Sequence, residues 1–166
     1  MINSTRRNGR RGRGDGGAAL VEFAIIGPLV FALLLGMFTG GIALSRQNSM
    51  TSAIREGARL GATLTRDGPW AESVRDRVRE LSSDDLTNEQ ICVELIKVGE
   101  AIPLLEWSGM DCGPQPSSVS TGGIPDGECV VKVWGQRKDH LQVIFFQKEL
   151  TLSGGSVSLY ERDCPE

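Results

Sequence analysis

The residues of this 166-residue chain that could do chemistry are few. His140 is the only histidine and follows the charged run Arg137-Lys138-Asp139, where a solvated imidazole in a turn is expected. The serines of SSVSTGG, residues 117–123, have no base near them in sequence. Asp84-Asp85 is the only adjacent pair of carboxylates and reads as the loop that ends a helix. The glycine-rich segments lack the lysine and the strand–loop–helix context of a phosphate cradle. No nucleophile, base and orienting group assemble into a catalytic set, so the expectation is no enzymatic activity and no cofactor.

Four cysteines, Cys92, Cys112, Cys129 and Cys164, are the next candidates. They show no CxxC and no histidine at ligand spacing, so no metal site is expected. Two disulfides formed in an oxidising compartment are the favoured reading, and free thiols in a partly buried core are the alternative. Three connectivities exist for four cysteines. The preferred one is Cys112–Cys129, closing a glycine-rich loop, with Cys92–Cys164 tying down the last strand.

The most informative single group is Glu22. Residues 18–45 contain no other charge. A carboxylate at the start of an apolar helix costs a few kcal/mol unless it is near an interface or paired. Stabilisation by the helix dipole is one account of it. A second comes from spacing, because Gly16-Gly17 precedes Ala18-Ala19-Leu20-Val21-Glu22. A cut after Gly17 leaves the glutamate as fifth residue. The new ammonium on Ala18 is then a cation that Glu22 of a neighbouring subunit can neutralise.

These residues must be positioned by the segments around them, and the composition divides sharply. The whole chain carries 18 basic and 21 acidic residues, is 40% hydrophobic, and resembles a plain soluble domain on average. No excess of positive charge points to nucleic acid. Residues 1–17, however, hold five arginines and one aspartate, a charge of +4, among Gly, Asn and Ser. That leader is expected to be flexible, and a Gly/Arg-rich RNA-binding tail is its alternative reading. Residues 46–166 hold 13 basic and 19 acidic residues, a charge of −6.

Between them, residues 23–45 form a run of 23 uncharged residues. At about 1.5 Å per residue such a helix crosses the roughly 30 Å hydrocarbon core with some tilt. A cleaved secretory signal is the alternative, but its apolar region is usually about 7–15 residues long. The arginines beside the span place the N-terminus in the cytoplasm by the positive-inside rule. Pro28 removes one backbone hydrogen bond early in the span, which membrane helices tolerate.

Helical spacing continues through residues 46–64, where Met50, Ala53, Ile54, Gly57, Ala58, Leu60, Gly61 and Leu64 form an apolar stripe. One helix from 18 to 64 would be about 70 Å long. Its outer stripe needs cover from its own head or from a partner's helix. Gly36 and Gly40 form a GxxxG pair, and Ala53, Gly57 and Gly61 repeat the spacing further on, as close helix–helix packing requires. Plain enrichment of glycine in membrane helices is the alternative for the first pair. Arg55, Glu56 and Arg59 read as a solvated face in which Glu56 pairs with Arg59.

Two stretches carry a family resemblance. GAALVEFAIIGPLVFALLLG and IREGARLGA resemble the TadE-like family, pseudopilins of the tight-adherence (Flp) pilus, over residues 16–64. VSLYERD is a weaker echo of that family's closing strand. The arginine-rich leader, glycine, four small or apolar residues and glutamate are similar to a type IV prepilin processing signal. The resemblance implies cleavage after Gly17 by a prepilin peptidase, with Ala18 as new N-terminus and Glu22 in the fifth-residue role. It further implies a minor pseudopilin of the bacterial cytoplasmic membrane acting in pilus assembly or initiation, and through the pilus in adhesion. Its partners would be other pilins and pseudopilins, tight-adherence assembly proteins and membrane lipid. The alternative is a single-span anchored envelope protein whose head binds a partner without entering a filament.

The remaining chain, residues 65–166, reads as an extracytoplasmic α+β head. Asp67-Gly68-Pro69 breaks the long helix. Residues 70–82 predict an amphipathic helix with Trp70, Val74, Val78 and Leu81 on one face and the charges of RDRVRE opposite. Residues 91–98, 128–135 and 140–152 predict strands, and 156–161 a last one after a turn at Ser153-Gly154-Gly155. Residues 109–127 predict a long irregular loop. The fold class is α+β: a long N-terminal helix packed against, or leading into, a small antiparallel, pilin-like sheet.

Overall fold

The computed structural model describes residues 15–83, 85–143 and 146–164, with side chains except those of residues 15–16 and 141–147. The expectations for the basic leader at 1–14, for Asp84 and for 144–145 lie outside the described residues.

The chain divides after Phe38 into two compact units. Helix α1, Asp15–Thr63, begins in the first and ends in the second, with Pro28 inside it. The second unit continues with α2 (Trp70–Leu81) and strands β1 (Ile91–Lys97), β2 (Leu105–Trp107), β3 (Cys129–Val143) and β4 (Phe146–Leu159). The strands form one antiparallel sheet in the order β2-β1-β3-β4. The architecture is thus α+β, a long apolar N-terminal helix with a four-stranded sheet.

Alternation along the strands builds two faces. Ile91, Val93 and Leu95 of β1 join Cys129, Val131 and Val133 of β3 on one face. Against it pack Met50, Ala53, Ile54, Ala58 and Ala62 of α1 and Trp70, Val74 and Val78 of α2. Each large aliphatic side chain buried here contributes about 1.5–3 kcal/mol. On the opposite face Cys92, Trp134 and Val157 are covered by Cys112 and Val119 of the 108–127 loop. The indole N–H of Trp134 donates to the carbonyl of Gly113 at 3.2 Å. That loop is therefore the cover of the second sheet face, with a short 3-10 turn at Ser117–Val119.

Three strand expectations need correction. Ser153-Gly154-Gly155 is not a turn but the middle of β4. A Cβ at Gly154 would press on Ile54 at 3.2 Å, and one at Gly155 would run into Val119 and Pro116. The two glycines thus admit α1 on one face and the loop on the other, a close-approach use of glycine inside a strand. Secondly, β3 does not end near Gly135. It runs through His140 to Val143, so His140 lies in a strand rather than a charged turn. Thirdly, the predicted run 140–152 is not one strand. It spans the end of β3 and the start of β4, paired to each other down to Val143↔Phe146.

The disulfide preference is overturned as well. The bonds are Cys92–Cys112 and Cys129–Cys164, with Cα separations of 5.7 and 5.6 Å. Sequence distance favoured closing the glycine-rich loop on β3. In the fold, Cys92 lies on the loop-covered face of β1, and Cys129 lies on the opposite face, beside the C-terminal segment.

Candidate processing segment and helix-packing surfaces

Gly17 and Ala18 lie in the first turn of α1, and Glu22 stands exposed one turn further on. From there the apolar side chains of α1 are also exposed, Phe23 at 70% and Phe31 at 64% among them. Among the described residues, α1 is the one helix long and apolar enough to cross a membrane. A Cβ placed on Gly36 or Gly40 would meet nothing within 4 Å.

Beyond Ser45 the same helix changes surroundings. Ala53 and Gly57 are buried, and a Cβ on Gly57 would collide with Val78 of α2. A Cβ on Gly61 would lie 3.0 Å from both Val74 of α2 and Val131 of β3. The outer glycines therefore let α1 approach the chain's own α2 and sheet. Arg55 and Arg59 are exposed, and Glu56 reaches Arg59 at 3.9 Å, a solvated pair of little energetic weight.

The end of α1 shows how the head grips it. The last four carbonyls of a helix have no partner within it. Here Leu60 accepts from the backbone N–H of Leu64 at 3.1 Å and from the Thr63 hydroxyl at 3.0 Å. Gly61 accepts from the indole N–H of Trp70 at 2.9 Å, and Ala62 from the backbone N–H of Glu161 at 3.0 Å. Thr63 accepts from Arg162 Nε at 2.8 Å, and the next carbonyl, Leu64, from the Tyr160 hydroxyl at 3.1 Å. The C-terminal YER tripeptide is thus the cap of the N-terminal helix. The Cys129–Cys164 bond holds that tripeptide beside β3.

Two further contacts were not expected from sequence. Arg46, at the end of the apolar stretch, donates to Asp139 of β3 at 2.7 Å. That hydrogen bond and charge hold the Asp139 carboxyl below its ordinary range and raise the Arg46 guanidinium in turn. As sequence, RKDH reads as a charged turn, and nothing in it points to Arg46. On α2, Arg75 departs from the expected charged face. It is only 7% exposed, and its guanidinium carbon lies 3.2 Å from the ring centre of Trp107. Desolvation lowers the basicity of this guanidinium, and the ring face offsets part of that cost. The expected apolar residue Leu81 is instead exposed.

Burial, as the larger influence, raises the Glu94 carboxyl on β1, which accepts from Gln115 at 2.8 Å. Its cross-strand neighbours are Glu106 and Lys132. Among the described residues no three His, Cys, Asp or Glu side chains gather as metal ligands.

Comparison with known proteins separates the two halves of the chain. No curated protein and no solved structure matches it. The helical N-terminal segment does find a family: residues 17–59, from the candidate cleavage residue Gly17 through Glu22 and the apolar stretch to Arg59, match the TadE-like protein family, which is related to the tight-adherence pilus.

Proposed function

We propose that the protein is a minor pseudopilin of a tight-adherence pilus, cut after Gly17 by a prepilin peptidase and used in pilus assembly or initiation. The observation that carries this reading is the family match over residues 17–59, which begins at Gly17 and contains Glu22 and the apolar stretch of α1, the one membrane-length helix among the described residues. The arginine-rich leader stays in the cytoplasm, and the disulfide-bonded head lies across the membrane in an oxidising compartment. In the processed form Ala18 becomes an ammonium, and Glu22 of a neighbouring subunit neutralises it within the assembly. Gly36 and Gly40 supply a surface for that neighbour's helix.

The N-terminal residue of the mature protein, read by mass spectrometry from its native membrane, tests this. Ala18 is the expected start. An intact leader would instead indicate an anchored envelope protein, and a start near Arg46 a secreted head. Gly17→Leu is expected to block processing, and Glu22→Ala to abolish assembled pili. Normal processing and normal pili in both variants would overturn these assignments.

A further inference from the structure

The sheet of the head has two outer edges, a short one on β2 and a long one on β4. Tyr160 donates its backbone N–H to the Cys129 carbonyl at 2.8 Å, which fixes the alternation along β4. Ser156 and Ser158 therefore turn their backbone groups to β3, while Gly155, Val157 and Leu159 turn theirs outward. Among the described residues, those three outward sets of N–H and C=O have no backbone partner. Natural edges are blunted by short length, charge, proline or a bulge. Residues 150–159, LTLSGGSVSL, hold neither charge nor proline. On the other edge, Val98 donates to the Glu128 carbonyl at 2.8 Å, so Val93 and Leu95 face β2 and Glu106 turns its backbone outward. Leu159 and Leu105, on these two edge strands, are 53% and 37% exposed.

The helices that flank these edges carry opposite charge. On α1, Gly57 and Gly61 lie against α2, and Thr51 and Ile54 lie against Gly154 of β4. With about 3.6 residues per turn, Arg55 and Arg59 then stand on the β4 side, away from α2. Both are exposed, Arg55 has no ion pair among the described residues, and Arg59 reaches Glu56 only at 3.9 Å. On α2, Arg75 covers Trp107, which turns Glu72 and Asp76 towards the β2 side. Both acids are exposed; Asp76 has Arg79 at 3.7 Å, and Glu72 has no ion pair among the described residues. Glu106 of β2 adds a third exposed carboxylate. The two flanks stand at one height, because Val74 lies against both Gly57 and Gly61. The two edges do as well, since β2 is level, through β1 and β3, with residues 156–158 of β4.

We propose that a second copy of this chain adds its β2 to the β4 edge, with its Glu72 and Asp76 facing Arg55 and Arg59. Strand direction permits this. β4 runs parallel to β1, and β2 runs antiparallel to it. A sideways shift of one head therefore brings its β2 antiparallel to the first copy's β4. Every sheet then turns the same face to its helices, and the outer half of every α1 points the same way. Pairing β4 with a second β4 would instead bring Arg55 and Arg59 against their own copies, where like charges repel. Because the joined edges differ, each added copy leaves one β4 edge and one β2 edge open, and the product is a row instead of a closed dimer. This pairing uses the head alone and does not depend on the cut after Gly17.

Photo-crosslinking of the full chain in detergent micelles tests this, with isotopically labelled and unlabelled protein mixed in equal amounts. p-Benzoylphenylalanine replaces Leu159, and adducts are mapped by mass spectrometry. Adducts between labelled and unlabelled chains are expected to join position 159 to residues 104–108, in a series that extends beyond dimers. Reversing one flank, by Arg55→Glu with Arg59→Glu or by Glu72→Lys with Asp76→Lys, should lower their yield about tenfold. Combining all four substitutions in one chain should restore it. Val157→Pro removes an outward N–H and no internal ladder bond. It should abolish the adducts, and it carries the test if a reversed chain loses its near-ultraviolet tryptophan signal. Adducts from 159 to β4 of the second chain would overturn the pairing in favour of a two-fold dimer. Adducts confined to one chain or to detergent, or a yield indifferent to the flank reversals and to Val157→Pro, would overturn it outright. A folded four-substitution chain whose yield stays low would overturn the facing of the two flanks.

Discussion

Gly36-Gly40 and Gly57-Gly61 have the same four-residue spacing on one helix, yet they meet opposite surroundings. The first pair has open space where a Cβ would go, whereas the second is filled by Val78, Val74 and Val131. The large apolar residues of the first stretch are exposed, and those of the second form the core of the head. A small-residue repeat therefore states that something comes close without naming the partner. In the outer half the partner is the chain's own α2 and sheet. In the inner half no described atom lies within 4 Å of where those Cβ atoms would go, and the proposed function puts lipid and neighbouring pseudopilin helices there.

The largest test of this contrast removes what holds the outer half. Replacing Cys129 and Cys164 together by alanine opens a closure 35 residues apart and is expected to cost about 3–4 kcal/mol in denaturant unfolding. Hydrogen exchange should accelerate at the α1 carbonyl partners Leu64 and Glu161, while the 20–44 stretch in detergent keeps its protection. The Cys92–Cys112 pair closes only 20 residues and should cost somewhat less. Equal loss across both halves of α1 would erase the distinction.

Next in size is steric. Gly57→Leu is expected to destabilise the head by about 1–3 kcal/mol through overpacking against Val78. Gly40→Leu should leave the unfolding free energy of the head within about 0.5 kcal/mol of the parent, as for other substitutions away from packed features. A matching loss at Gly40 would show that the inner glycines also pack on the head.

The two ionisable contacts give the smallest effects, with opposite pH signs. The Asp139 carboxyl is held below its ordinary range by the Arg46 hydrogen bond, so its stabilisation is present above the unfolded pKa. That stabilisation is lost as pH falls through the depressed folded value. Asp139→Asn should therefore cost up to about 1 kcal/mol at neutral pH and flatten the acid limb of a Tm–pH curve. Glu94 runs the other way, because burial raises its carboxyl. Its contribution is present below the unfolded pKa and lost as pH rises through the folded one. Glu94→Gln keeps an acceptor for Gln115 and should raise the Tm slightly at pH 7 and leave it unchanged near pH 4.

The long helix and α2 were legible because 3.6-residue periodicity is local. Strand β1 was legible for the same reason, as an alternating run between turn signals. The hairpin was not. Gly154-Gly155 has the composition of a turn, and only the neighbours on each sheet face explain two glycines inside a strand. Arg75 read as solvated because charge on a helix usually is, and Trp107, which covers it, lies 32 residues away on β2. The cap formed by Tyr160, Glu161 and Arg162 was audible only as a short C-terminal echo, because its acceptors are about a hundred residues earlier.

The sequence by itself determined the apolar span, the position of Glu22 five residues after Gly17, the charge asymmetry around the span and the α+β class. These are consequences of composition and short-range order, which a linear chain displays directly. Tertiary structure alone decided which cysteines pair, which glycines are filled, and where residues 160–164 dock. Those outcomes depend on which sheet face a residue occupies and on contacts between segments far apart in sequence. A one-residue change of register reverses the face, so local pattern cannot decide them.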